Sequence, residues 1–87
     1  MAKRVAALKI RSKAAKALEG LPVRLRLRIR ERLLALAEDP RPRGCRKMKG
    51  DVFRVRQGDW RIFYRVDDRR KEVLVEAIRH RREAYRS

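Results

Sequence analysis

Three arginines in one short stretch, Arg54, Arg56 and Arg61, carry the most specific chemistry in this chain of 87 residues. A planar guanidinium fork bonds two oxygens of a phosphate at once, and it keeps its charge at any physiological pH. Whether three such forks act together depends on where the backbone puts them. They lie in Phe53-Arg54-Val55-Arg56-Gln57-Gly58-Asp59-Trp60-Arg61-Ile62-Phe63-Tyr64-Arg65, where apolar and basic residues alternate on both sides of Gly58-Asp59. That pattern predicts a β-hairpin with a two-residue type II′ turn, Gly58 supplying the positive φ. Counting outward pairs Gln57 with Trp60, Arg56 with Arg61, Val55 with Ile62 and Arg54 with Phe63. Directly opposed residues share a sheet face. Arg54, Arg56 and Arg61 therefore project from one face, with Arg65 further along it. Phe53, Val55, Trp60, Ile62 and Tyr64 fill the other as core. Such a cluster of like charges gains nothing from itself and points to an anionic visitor, with phosphate the leading candidate.

Histidine is the side chain whose unperturbed pKa lies in the neutral range. His80 is the only one here, so it is the candidate proton donor or acceptor, set against the plainer reading of a hydrogen-bonded residue at a strand end. Arginine cannot fill that role. With one cysteine, Cys45, and one histidine, a site of His and Cys metal ligands is not available, and no cofactor is expected.

The elements that must hold these residues can be read outward from the hairpin. Residues 4–10 suggest an edge strand. Ser12 is the expected N-cap of a short helix through Ala14, Ala15, Ala17 and Leu18, ended by Gly20. Pro22 opens a second helix running to about Glu38. Its apolar residues fall on two stripes, Leu25, Ile29, Leu36 and Val23, Leu27, Leu34, with Leu33 between. That arc is wide enough for part of it to be covered by a partner chain, if Arg26 and Arg30 do not simply lay their stems over its rim. Asp39-Pro40-Arg41-Pro42-Arg43-Gly44 stops the helix, and residues 45–50 read as a loop carrying Arg46, Lys47 and Lys49. After a turn at residues 67–71, residues 72–78 form a third strand, apolar on both faces and so interior to the sheet. Residues 79–86 close as a short helical or irregular tail. The expected fold is α+β, one domain over residues 1–87: β-α-α-β-β-β, an antiparallel sheet packed against two N-terminal helices.

Composition narrows the partners. Lys plus Arg is 27 against 11 Asp plus Glu, a formal charge of +16. The charge is spread along the chain, and 44% of residues are hydrophobic, which argues for a folded body rather than a polybasic arm. This balance favours a polyanion or an acidic protein. Met1-Ala2-Lys3-Arg4 leads into only a short apolar stretch, so no signal peptide or membrane span is expected, and the chain reads as cytoplasmic.

The element order and several short motifs resemble the RelE/ParE toxin superfamily of type II toxin–antitoxin systems. The residues carrying the resemblance are Ala15-Lys16-Ala17-Leu18, Leu21-Pro22, Leu36-Ala37-Glu38-Asp39-Pro40, Met48-Lys49-Gly50, the hairpin, and His80-Arg81-Arg82-Glu83-Ala84-Tyr85. The resemblance implies a RelE-like fold and a cognate acidic antitoxin. For the RelE-like branch it implies metal-free cleavage of messenger RNA in the ribosome. Activity would rest on Arg54, Arg56, Arg61, Arg81 and Tyr85, with Arg79 as the alternative to Arg81. Arg61 and Arg81 would neutralise the phosphorane, and Tyr85 would carry an unstacked base. Arg46, Lys47, Lys49, Arg65 and Arg79 would add RNA contacts. In the best-known member lysines stand at the positions of Arg54 and Arg56, so a lysine base is missing here. The alternatives are a ParE-like toxin that blocks DNA gyrase and a non-catalytic RNA- or ribosome-binding protein on the same fold.

Overall fold

Alternation and turn chemistry give the sheet, and the computed structural model describes residues 6–84 of it and its helices. The order is β1 (Ala7–Ile10), α1 (Ser12–Glu19), α2 (Val23–Glu38), β2 (Arg46–Lys47), β3 (Val52–Gln57), β4 (Trp60–Asp67), β5 (Glu72–His80) and α3 (Arg81–Ala84). No helix among these is long and apolar enough to cross a membrane. The hairpin register is the one counted from the turn: Arg54 faces Phe63, Val55 faces Ile62, Arg56 faces Arg61 and Gln57 faces Trp60. Gly58 has φ +59°, and Asp59 is not left-handed, as a type II′ turn requires.

The five strands lie in the order β1-β5-β4-β3-β2. Two features correct the sequence reading. The sheet is mixed, because β1 pairs parallel to β5, with Leu8 opposite Val73 and Ile10 opposite Val75. Residues 46 and 47, read as loop, form a short edge strand against β3, with Arg46 opposite Arg54 and Lys47 opposite Phe53. The expected interior position of the third strand holds, since β5 lies between β1 and β4. Ser12 is the first residue of α1 rather than its cap. Arg11 occupies the cap position in extended conformation, and no side chain bonds the free amides there.

Both long helices cover one face of the sheet. Ala14 and Leu18 from α1 and Ile29, Leu33 and Leu36 from α2 pack with Val55, Ile62, Tyr64, Val73, Val75 and Ile78. Phe53 stacks on Tyr64 at 5.8 Å on this side. The Tyr64 hydroxyl donates a 2.6 Å hydrogen bond to the Pro40 carbonyl. Burial pushes that phenol well above its usual range, with a smaller push from Cys45. The second stripe of α2 stays outside: Val23, Leu27 and Leu34 are 58%, 51% and 63% exposed.

Candidate functional site

The sheet face turned away from the helices holds the arginines. Two rows of opposed residues cross it. Arg56, Arg61 and Arg79 are aligned across β3, β4 and β5, and Arg46, Arg54, Phe63 and Ala77 across β2 to β5. Adjacent members of a row have Cβ atoms about 5 Å apart. The sequence assigned Arg54, Arg56 and Arg61 to one face. The structure brings Arg46 and Arg79 to the same end.

A β-bulge decides why Arg79 belongs there. Phe63 faces Ala77 but Tyr64 faces Val75, so Glu76 is an extra residue in β5. Before the bulge, Val73 and Val75 point to the core. After it, Ile78 takes the core side at 4% exposure. Arg79 then falls opposite Arg61 on the open face, and His80 falls opposite Trp60 on the other side. The His80 ring meets Trp60 edge-on at 5.4 Å, and its Nδ1 accepts a 3.3 Å hydrogen bond from the Arg82 amide. The geometry therefore does not bring the sole histidine to the arginine rows.

Charge divides the open face into two ends. Near the β4–β5 turn, Glu76 lies 2.7 Å from both Arg11 and Arg65, and Lys9 lies 3.0 Å from Glu72. Arg65 thus shares one carboxylate with Arg11 rather than joining the cluster. At the hairpin end, Arg46, Arg54, Arg56, Arg61 and Arg79 have no acidic partner among the described residues. Arg54 and Arg61 are only 8% and 6% exposed, and the Nε of each is buried without a hydrogen-bond partner. An orphaned buried donor costs about 1–3 kcal/mol, so a bound acceptor would recover real free energy. The Arg61 fork is held by its Nη1, which donates to the carbonyls of Gly58 and Trp60, both at 3.1 Å.

Arg81 stands at the hairpin tip. Its amide donates to the Asp59 carbonyl at 2.7 Å, and its Nη1 is 3.8 Å from an Asp59 carboxylate oxygen. Lys47 is on the other face of the sheet, opposite Phe53, and Lys49 is exposed in the β2–β3 turn. Tyr85 lies outside the described residues. Trp60 and Tyr64 belong to the helix-covered face, as expected. A separate depression near the β4–β5 turn, lined by Arg41, Lys47, Asp51, Phe53, Asp68 and Leu74, has mixed charge. There Arg41 and Asp68 form a two-pronged pair at 2.8 and 3.1 Å, which holds the exposed carboxyl below the usual range.

A mixed five-stranded sheet with two helices on one face is also found in solved toxin structures. The RelE–RelB complex of the archaeon Pyrococcus horikoshii matches with TM-score 0.78 at 28% identity, over 95% of this chain and 99% of that one. The RelBE2 toxin–antitoxin complex of Mycobacterium tuberculosis matches with TM-score 0.77 at 24% identity, over 87% and 98%. The isolated RelE toxin of Escherichia coli matches with TM-score 0.75 at 23% identity, over 86% and 83%. The fold is that of a RelE/ParE-superfamily toxin. The model of the family described as "ParE toxin of type II toxin-antitoxin system, parDE" matches residues 7–85, and the chain belongs to that family. No curated protein sequence matches it significantly.

Proposed function

We propose that this toxin acts on RNA, gripping phosphates on the arginine end of its open face and cleaving messenger RNA in the ribosome without a metal. One observation carries the reading: two of the five clustered arginines are more than nine-tenths buried, with unpartnered Nε donors. A surface that merely repels its own charges would let those side chains swing into water. In such a cleavage the substrate's own 2′-hydroxyl attacks the adjacent phosphorus. The 5′ oxygen leaves and takes up a proton, and a 2′,3′-cyclic phosphate forms. Arg61, fixed by the turn carbonyls, and Arg81, at the same end of the hairpin, are suited to neutralise the phosphorane. Arg54 and Arg56 position the chain. With His80 on the opposite face, the contribution of this face is electrostatic and positional, and proton movement falls to solvent or the ribosome.

The test is 3′-end mapping of ribosome-bound messenger after toxin addition. The expected result is cuts in the decoding site that survive EDTA on stable ribosomes and vanish with one 2′-deoxy substitution at the cut. Arg61→Ala should slow single-turnover cleavage by orders of magnitude. A second reading, gyrase inhibition by binding, is favoured by the match to the ParE family model and by the absence of a lysine or histidine in the arginine rows. Loss of gyrase supercoiling activity on toxin addition, with intact messenger ends, would decide for it.

A cognate antitoxin is the expected regulator, since the P. horikoshii and M. tuberculosis relatives were solved as complexes with one. A charge of +16 and the exposed Val23, Leu27 and Leu34 fit an acidic partner with apolar anchors. Copurification of an acidic protein encoded beside this one checks the assignment.

A further inference from the structure

Phe63 is the aromatic residue whose place neither the fold nor the arginines explain. It faces away from the core, with Arg54 opposite it on β3 and Ala77 opposite it on β5. Arg61 and Arg65 precede and follow it on the same face of β4, two residues away on either side. It is half-buried. Its neighbour Tyr64 is the one that enters the core and stacks on Phe53. Among the described residues, the guanidinium that lies over an aromatic ring is Arg41 over Phe53, at 5.2 Å, and no cation or second ring covers Phe63. A β-branched residue would satisfy this strand position equally well. A partly exposed aromatic ring beside Arg54 and Arg61, whose Nε donors lack partners, has a specific use in single-stranded nucleic-acid recognition. Bases stack on the ring while phosphates meet the cations.

We propose that Phe63 is a base-stacking platform. One unstacked base of single-stranded RNA lies on its ring, over the space that the short Ala77 side chain leaves. The phosphates on either side of that base meet the Arg46–Arg54 and Arg56–Arg61–Arg79 rows. This rests on the RNA reading above and adds its anchor. The arginines supply charge-driven grip, and Phe63 sets which nucleotide sits between them. Every base has a π face, so the platform is tolerant of base identity, and it discriminates a base from no base.

The probe is a short single-stranded RNA with 2-aminopurine at its centre, compared with the same strand made abasic there. Phe63→Leu keeps apolar volume and removes the ring, and Phe63→Trp enlarges the ring. Thermal melts of both variants establish folding. Removing one stacked base costs about 1–3 kcal/mol, roughly five- to hundredfold in affinity. Wild type should therefore bind the intact strand about fivefold or more above the abasic one and quench 2-aminopurine. Phe63→Leu should bind both strands equally, at the wild-type abasic level and without quenching. Phe63→Trp should bind the intact strand at least as well as wild type. Phe63→Leu that retains the full preference and quenching overturns the platform and leaves the RNA reading standing. Wild type that binds neither strand overturns both.

Discussion

Replacing Arg54 with methionine should make the protein more stable and its anion site weaker. Arg54 is 8% exposed, with its Nε buried and unpartnered, and it faces Arg46 across the β2–β3 pair. Methionine fills similar space, and no side-chain hydrogen bond or ion pair among the described residues is lost. Relief of the orphaned donor contributes about 1–3 kcal/mol. Removing repulsion from Arg46 contributes at most ~0.8 kcal/mol in a water-like medium, if the two charges are as close as the ~5 Å spacing of opposed Cβ atoms; that medium is the right limit because Arg46 is exposed. Some stem packing is exchanged for weaker packing, so a net gain of about 1–2 kcal/mol is expected. For a domain of this size each kcal/mol moves Tm by roughly 4–8 °C. Melts at low ionic strength should thus place Arg54→Met about 5–15 °C above wild type. Pyrophosphate should then reverse the order. A ligand at a hundred times its Kd adds about 2.7 kcal/mol to the protein that binds it. Wild type should gain most of that, and the variant much less. A variant that melts below wild type without added anion, or equal pyrophosphate shifts in both, would refute the claim that Arg54 is held buried for a ligand.

Other parts of the fold give sharper yes-or-no outcomes. The Tyr64 phenol is raised by burial, so its neutral form is the stable one in the fold. Its contribution is full below the ordinary phenol range, near pH ~10, and is lost as pH rises through the higher folded value. Tyr64→Phe should cost about 1 kcal/mol at pH 7 through the lost bond to Pro40 and should flatten the fall in Tm above pH ~10. Leu36→Ala, at a fully buried site, should cost about 2–5 kcal/mol, whereas Leu34→Ala on the exposed stripe should stay within ~0.5 kcal/mol in urea unfolding. Gly58→Ala forces a side chain into φ +59° and should cost about 1–2 kcal/mol, with loss of hairpin amide protection ahead of the helices.

The hairpin was legible because a two-residue turn fixes register, and alternation then assigns every side chain to a face. Gly58 alone determines that Arg54, Arg56 and Arg61 share one face. Pairings distant in sequence left weaker marks. Nothing in residues 7–10 says that β1 runs parallel to β5, since a four-residue edge strand carries the same alternation whichever way its neighbour runs. Two residues, Arg46 and Lys47, are too few to show a period, so β2 read as loop. Ending the third strand at Ile78 left Arg79 and His80 without a face, and the bulge at Glu76, which decides the face of each, leaves no turn signal in the sequence. Phe63 had a signal that was available: the same count that placed Arg54 on the open face placed Phe63 beside it.

The bulge also means that one extra backbone position, with no change of side chain, decides what stands beside Arg61. If the nine residues of β5 alternated without it, Ala77 would take the core side, Ile78 would stand opposite Arg61 on the open face, and Arg79 would turn beneath the helices. Deleting Glu76 would straighten the strand and leave Ile78 in the core and Arg79 opposite Arg61, at the loss of the carboxylate that Arg11 and Arg65 share. The arginine end is thereby buffered against the loss of one residue at this point, whereas a deletion elsewhere in a regular strand would turn every later side chain to the opposite face.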